Sequence, residues 1–446
     1  MTDTVADVTP ERALQIIAQV LDAAQTCGAS AAEASLSQRA GLSVTVRMAD
    51  LETLQHQRDA SLGVTVYDGQ RKGSASTSDL SAAALRRTVD AARAIACHAG
   101  EDEYAGLVDP ALLARDVPDL DLHHPWDLTP ESAIELAKSC EAAARAVDPR
   151  ILNSEGATVK TGAGIHAYGN SNGFTGAWRS SAHRVSCTVI ASEDGCMRQG
   201  YDHTVAREAR ALRPVEEIGR HAGERAVQRL GARKIATVTV PVLFESRVAT
   251  SLFGHLVSAI SGSSLYRRTS FLLDHLGKRV LPNWMLIRED PYLPRALGSR
   301  PFDDDGVATR ARDIVKDGVL SSYVLGGYSA RKLGMTTTGN AGGITNWTVS
   351  NSNEDLPALL TRMQRGLLVT ELMGFGVNGV TGDYSRGASG FWVENGEIRF
   401  PVEEVTIAGN LKDMFQSIIA IGVDIETNSS ICTGSLLIER MTVAGK

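Results

Sequence analysis

The chain has 446 residues, more than one ordinary hydrophobic core organises, so two to four domains are expected. Its 43 % hydrophobic and 22 % charged residues are the balance of a soluble globular protein, and the net charge of −7 excludes a broad basic footprint for nucleic acid. No apolar run approaches the roughly 20 residues that a membrane span needs.

The N-terminal MTDTVADVTPER has neither a basic start nor an apolar h-region, so no export signal is expected. Thr9-Pro10-Glu11 opens a helix: a capping hydroxyl, proline at the first helical position and acid in the first turn. From Ala32 to Ser76 the segments ASLS, LSVTV and LGVTVY predict strands, with a hairpin turn at Asp68-Gly69, and a second helix is expected from Asp79. The Asp- and Pro-rich stretch 101–128 predicts a connector. Thr129-Pro130-Glu131 then restarts the same plan, with strands at GIHAYG, FTGAW and SCTVIAS, a turn at Asp194-Gly195 and a closing helix from about Pro214 to Leu230. The shared order and helix start point to an internal duplication.

After Ala236 the strand TVTVPVLFES leads into a helix from Arg247 to Ile260. Short β segments separated by glycine turns follow, with hairpin signatures at Lys316-Asp317-Gly318 and Glu394-Asn395-Gly396. The expectation is an α+β protein. Two tandem N-terminal α–β modules with antiparallel strands and flanking helices (1–100 and 129–232, joined by 101–128) precede a β-rich barrel or sandwich domain (233–446). The six cysteines, Cys27, Cys97, Cys140, Cys187, Cys196 and Cys432, are too scattered for a disulfide framework and point to a reduced, cytoplasmic protein.

The chemistry-bearing residues are sparse. His255 stands in the helix FGHLVSAI with Leu256 where a metallopeptidase helix would place its glutamate, and Ile260 where a second histidine would fall. Read from these residues alone, the stretch fails as a metal site. His183, Cys187, Cys196 and His203 are competent zinc ligands by type, but their spacing matches no standard finger. TTGNAGGITNW, with Asn340, Gly342 and Gly343, lacks the lysine of a nucleotide loop and is read either as a backbone-exposing contact for a peptide or partner or as a structural turn. Asp383, Tyr384 and Arg386, placed between strands in TGDYSRGASG, are read either as a peptide groove by strand addition or as an internal Asp–Arg pair. Asp303-Asp304-Asp305 reads as a solvated turn rather than a metal cluster. Ser263 and Ser264 have no evident His and acid partners.

HLVSAISGSSLYRRTSFL, TTGNAGGITNW, GFGVNGVTGDYSRGASGFWVENGEI and PVEEVTIAGNLKDMF resemble the PmbA/TldE proteins, relatives of the TldD metallopeptidases. The resemblance is densest from about Arg247 to Gly445 and weaker over the N-terminal half. TldD proteins carry HExxxH on the corresponding helix and a cysteine near the C-terminus as a further ligand. Here that run becomes His255-Leu256-Val257-Ser258-Ala259-Ile260, with Cys432 near the last ligand's place. The resemblance therefore implies no catalytic residue and no metal in this chain, since His255 and Cys432 alone make no catalytic zinc site. It implies zinc or another divalent metal in a TldD-like metallopeptidase partner. It further implies a hetero-oligomeric peptidase acting on unfolded peptides, in microcin-type maturation and antitoxin degradation, with a homodimer also open. The family's description as a modulator of DNA gyrase implies no DNA contact. Two other readings are an autonomous metallopeptidase with an unrecognised site and a homo-oligomeric peptide-binding protein.

Overall fold

The computed structural model describes residues 9–445. Residues 1–8 and Lys446 lie outside the described residues, and with them the start of the segment read for an export signal.

The N-terminal half is built on a single antiparallel sheet of order β3-β2-β1-β4-β5-β6. Its strands are β1 (Ala31–Arg47), β2 (Asp50–Asp68), β3 (Arg71–Thr77), β4 (Ile151–Asn170), β5 (Thr175–Glu193) and β6 (Cys196–Ala206). Helices α1 (Pro10–Thr26) and α2 (Ala82–His98) flank the first three strands in sequence, and α3 (Pro130–Arg145) and α4 (Val215–Gln228) flank the next three. Thr9 and Thr129 cap α1 and α3 through their side-chain oxygens, as the Thr-Pro-Glu repeats predict. The duplication extends into the packing. A Cβ on Gly73 of β3 would lie 2.1 Å from the Ala92 carbonyl oxygen of α2, and one on Gly200 of β6 would lie 2.1 Å from the Ala222 carbonyl oxygen of α4. In both halves a strand glycine lets an alanine-faced helix sit directly on the sheet.

The two halves follow one another in tandem and share one sheet. Ala32, Ala34 and Leu36 of β1 pack under α1 and α2, whereas Leu42, Val44 and Val46 of the same strand pack under α3 and α4. β1 runs unbroken through ASLS and LSVTV, and β2 extends through LETLQHQRDA, whose residues 51–59 are exposed. Pairing with β3 starts only at Leu62, so this part of β2 is an open edge held by β1 alone. The connector 101–128 is strapped to the C-terminal half. Arg331 donates to the carbonyls of Tyr104, Gly106 and Leu107, and Leu113 bridges to Val307.

In the C-terminal half, β7 (Val238–Phe244), β12 (Gly366–Met373), β13 (Asp383–Glu394), β14 (Glu397–Asn410) and β17 (Leu436–Ala444) form a barrel, closed by pairing of β14 with β17. A second sheet has the order β10-β9-β8-β11-β16. It comprises β8 (Ile287–Asp290), β9 (Arg312–Lys316), β10 (Val319–Leu320), β11 (Asn346–Val349) and β16 (Ile431–Cys432). Asp317-Gly318 and Asn395-Gly396 make the expected hairpins, with both residues of each pair at positive φ. Helix α5 (Ser246–Ile260) lies in the core shared by barrel and sheet: Leu252, Phe253, Leu256 and Ile260 join Val242, Leu367, Ile407 and Leu436 with Ile287, Val315 and Trp347. Among the described residues no helix is long and apolar enough to cross a membrane.

Candidate functional site

His255 sits on the flank of α5. The apolar residues at helical spacing, Ala249, Leu252, Phe253, Leu256 and Ile260, turn one broad face into the core, which leaves the imidazole at its margin, half-buried. There it meets the ring of Tyr384 edge-on, with centroids 6.0 Å apart at 77°. Tyr384 and Arg386 are two residues apart on β13 and so share a face, while Asp383 and Ser385 are exposed on the other. Three buried polar atoms here have no hydrogen-bond partner: His255 Nε2, Tyr384 Oη and Arg386 Nε. Burial, with the Arg386 charge adding to it, holds the His255 pKa below its ordinary value, so the ring is neutral at pH 7. Burial pushes the Tyr384 phenol up to about 12, so it stays protonated.

A metallopeptidase centre does not fit these residues. Leu256 and Ile260 are fully buried apolar side chains, and only His255 of that run offers a ligand. Cys432 lies on β16 with its thiol directed to the Ser429 carbonyl at 3.8 Å, and burial with the nearby Glu426 raises its pKa, which disfavours the thiolate a metal requires. Among the described residues no three His, Cys, Asp or Glu side chains are grouped to hold a metal ion. The His–Cys quartet is dispersed. His183 is held by Thr161 and the His124 carbonyl at 2.8 Å each, Cys187 is buried, Cys196 is exposed at the β5–β6 turn, and His203 stacks on Tyr201.

The other expected contacts are also redistributed. Asn340 is buried and donates at 3.0 Å to Glu289, which also accepts from Arg312 and from the Thr345 amide, so TTGNAGGITNW is pinned inside the domain. Gly342 packs against Asp304, where a Cβ would meet the carboxylate at 2.1 Å, and Gly343 faces open space. Asp303 is fully buried and accepts three backbone N–H groups, from Asp305, Val307 and Ala341, which makes it an internal brace instead of a solvated turn. Asp383, Tyr384 and Arg386 stand within β13, not between strands. The Asp383 carboxylate is held by Thr381 and Asn410, so no Asp383–Arg386 pair exists. Both edges of β13 are taken, by β14 and by the 376–377 segment, so a peptide cannot add there.

Sequence reasoning missed two features. Phe375 is 99 % exposed, flanked by Gly374 and Gly376 and near Met373 and Val380, themselves about half exposed; an aromatic between glycines in GFGVNG was the available signal. A cavity of about 490 Å³ lies between the second α–β unit and the barrel, bordered by the ion pairs Arg225–Glu245 and Arg229–Glu371 with Leu356, Leu368 and Phe391. No local pattern announces it, because its walls come from distant segments.

Comparison with known proteins agrees with this architecture. PmbA/TldA metallopeptidase domain 1 matches residues 32–96, the central domain 123–230 and the C-terminal domain 237–445. The metalloprotease PmbA of Escherichia coli O157:H7 is 49 % identical over 93 % of this chain and 92 % of its own, and a metalloprotease TldD homolog of Haemophilus influenzae is 23 % identical over 87 % of each. The crystal structure of a candidate modulator of DNA gyrase from Bacteroides thetaiotaomicron superposes with a TM-score of 0.92 at 29 % identity, covering 98 % of this chain and 100 % of that one. A sheet shared by two α–β repeats, a closed barrel and matches along nearly the whole length place the chain in the PmbA/TldD metallopeptidase family.

Proposed function

We propose that this chain is the PmbA/TldE-type, non-catalytic subunit of a cytoplasmic metalloprotease whose metal is held by a TldD-type partner and whose substrates are unfolded or extended peptides. The observation that carries the reading is the fate of the run that resembles HExxxH: His255 turns to Tyr384, while Leu256 and Ile260 are sealed in the core. A family scaffold retained without its ligand set is a scaffold for something other than metal chemistry. The apolar loop bearing Phe375 supports assembly with another chain, since an aromatic 99 % exposed gains most by being covered. The cavity beside Arg225 and Arg229 supports a route for peptide between the halves of the subunit.

Size-exclusion chromatography of this chain mixed with a TldD-type subunit, followed by metal analysis of each peak, tests the proposal. A shared peak with metal present only in proportion to the TldD-type subunit is expected. Separate elution, or stoichiometric metal in this chain alone, contradicts it. The open edge of β2 favours one second reading, self-association through strand pairing. Light scattering of the chain alone would then give a dimer that Leu54→Lys or Leu51→Pro dissociates.

A further inference from the structure

His255, Tyr384 and Arg386 bring together three buried polar atoms, Nε2, Oη and Nε, that have no hydrogen-bond partner. Arg386 is half-buried, its Nε is sealed from solvent without a partner, and among the described residues no carboxylate pairs with it. Tyr384 is only 1 % exposed and its hydroxyl is also unpartnered. The guanidinium lies near that hydroxyl and its field reaches the His255 ring, so the three side chains form one connected group. A half-buried cation whose Nε is sealed without a partner, and a buried hydroxyl with only that guanidinium near it, each cost free energy, and the cost persists only if something offsets it in use.

We propose that this cluster binds a peptide carboxylate, the guanidinium taking it in a bidentate fork and Tyr384 with His255 donating to its remaining lone pairs. The charge count favours a monoanion: one guanidinium and a neutral imidazole are balanced by one carboxylate, whereas a phosphate dianion leaves a net negative charge in a partly buried place. His255 and Arg386 each keep some exposure, so the cluster borders solvent, with its three unpartnered atoms just beneath that surface. The inference rests on the peptide-handling reading above and names the part of the peptide that this subunit holds. The carboxylate can come from a chain terminus or from an acidic side chain.

Isothermal titration of the full chain tests this with four probes: acetylated tetra-alanine with a free carboxyl end, its C-terminal amide, the same amide with one glutamate, and inorganic phosphate. Binding of the free acid at least tenfold tighter than of the plain amide assigns the terminus. Binding of the glutamate amide to the same degree assigns a side chain. Arg386→Met should lose at least tenfold in affinity with no fall in melting temperature, since an unpaired half-buried charge is removed, and Tyr384→Phe should lose several-fold with its ring packing intact. Equal binding of acid and plain amide, tighter binding of phosphate than of either acid, no binding at all, or a lower melting temperature for Arg386→Met overturns the proposal. Co-elution of Arg386→Met with the TldD-type subunit is measured alongside. Retained co-elution with lost carboxylate binding separates failure of this inference from failure of the subunit reading.

Discussion

Rebuilding the missing ligands should break the domain before it makes a metal site. Leu256 and Ile260 are four residues apart, about 40° around the helix, and both face the core, while His255 lies about 100° from Leu256 and 140° from Ile260. The double substitution Leu256→Glu with Ile260→His removes two fully buried aliphatic side chains, worth about 1.5–3 kcal/mol each. It also buries a carboxyl and an imidazole among Phe253, Leu252 and Val242, adding several kcal/mol for desolvation. The sum is of the order of a whole domain's stability, about 5–15 kcal/mol. Urea titration should show the C-terminal half unfolded or close to it, and Leu256→Met, which conserves volume, should cost less than about 1.5 kcal/mol. Metal content and peptide cleavage should both stay at background. A folded double variant holding stoichiometric zinc would refute the placement of these side chains.

Three other outcomes follow from particular contacts. Glu141→Ala should cost about 2–4 kcal/mol in urea unfolding, because its carboxylate accepts the Met48 and Ala49 amides at 2.8 and 2.7 Å in a turn where both residues have positive φ. His203 is held down to about 4 by burial first and then by Arg184 and Arg247, against the pull of Glu426 and Asp202. The unfolded chain takes up this proton first. Stability from this group is therefore complete above about pH 6.5, falls as pH drops and is lost by about pH 4, a change of about 1–2 kcal/mol after allowance for partial exposure. His203→Gln should flatten that limb of the stability–pH curve. Phe375→Ser should leave the melting temperature unchanged and weaken co-elution with a TldD-type subunit at least tenfold, because the side chain touches little of its own domain.

Local chemistry explains what could be read in advance. Thr9 and Thr129 cap helices, and Asp194-Gly195, Asp317-Gly318 and Asn395-Gly396 take the left-handed turn residues that hairpins need. Long-range partners explain what could not. The β1–β2 turn uses Met48 and Ala49, neither a turn residue, because Glu141, more than ninety residues away, satisfies their amides. The exposed LETLQHQRDA has no apolar alternation and is a strand only because β1 pairs with it. The same limit applied to the site. His255, Tyr384 and Arg386 each stand out in the sequence, but TGDYSRGASG reads as lying between strands, so nothing there brings the three together. The burial of Asn340 and Asp303 depends on distant partners, Glu289 and the Ala341 amide, that no local pattern announces.

The most direct test is peptide cleavage measured on an unfolded peptide with the purified chain alone, with a TldD-type subunit alone, and with the two mixed. The account predicts no cleavage by this chain, cleavage in the mixture, and its loss when the HExxxH of the TldD-type subunit is substituted. Chelator-sensitive cleavage by this chain alone would contradict it.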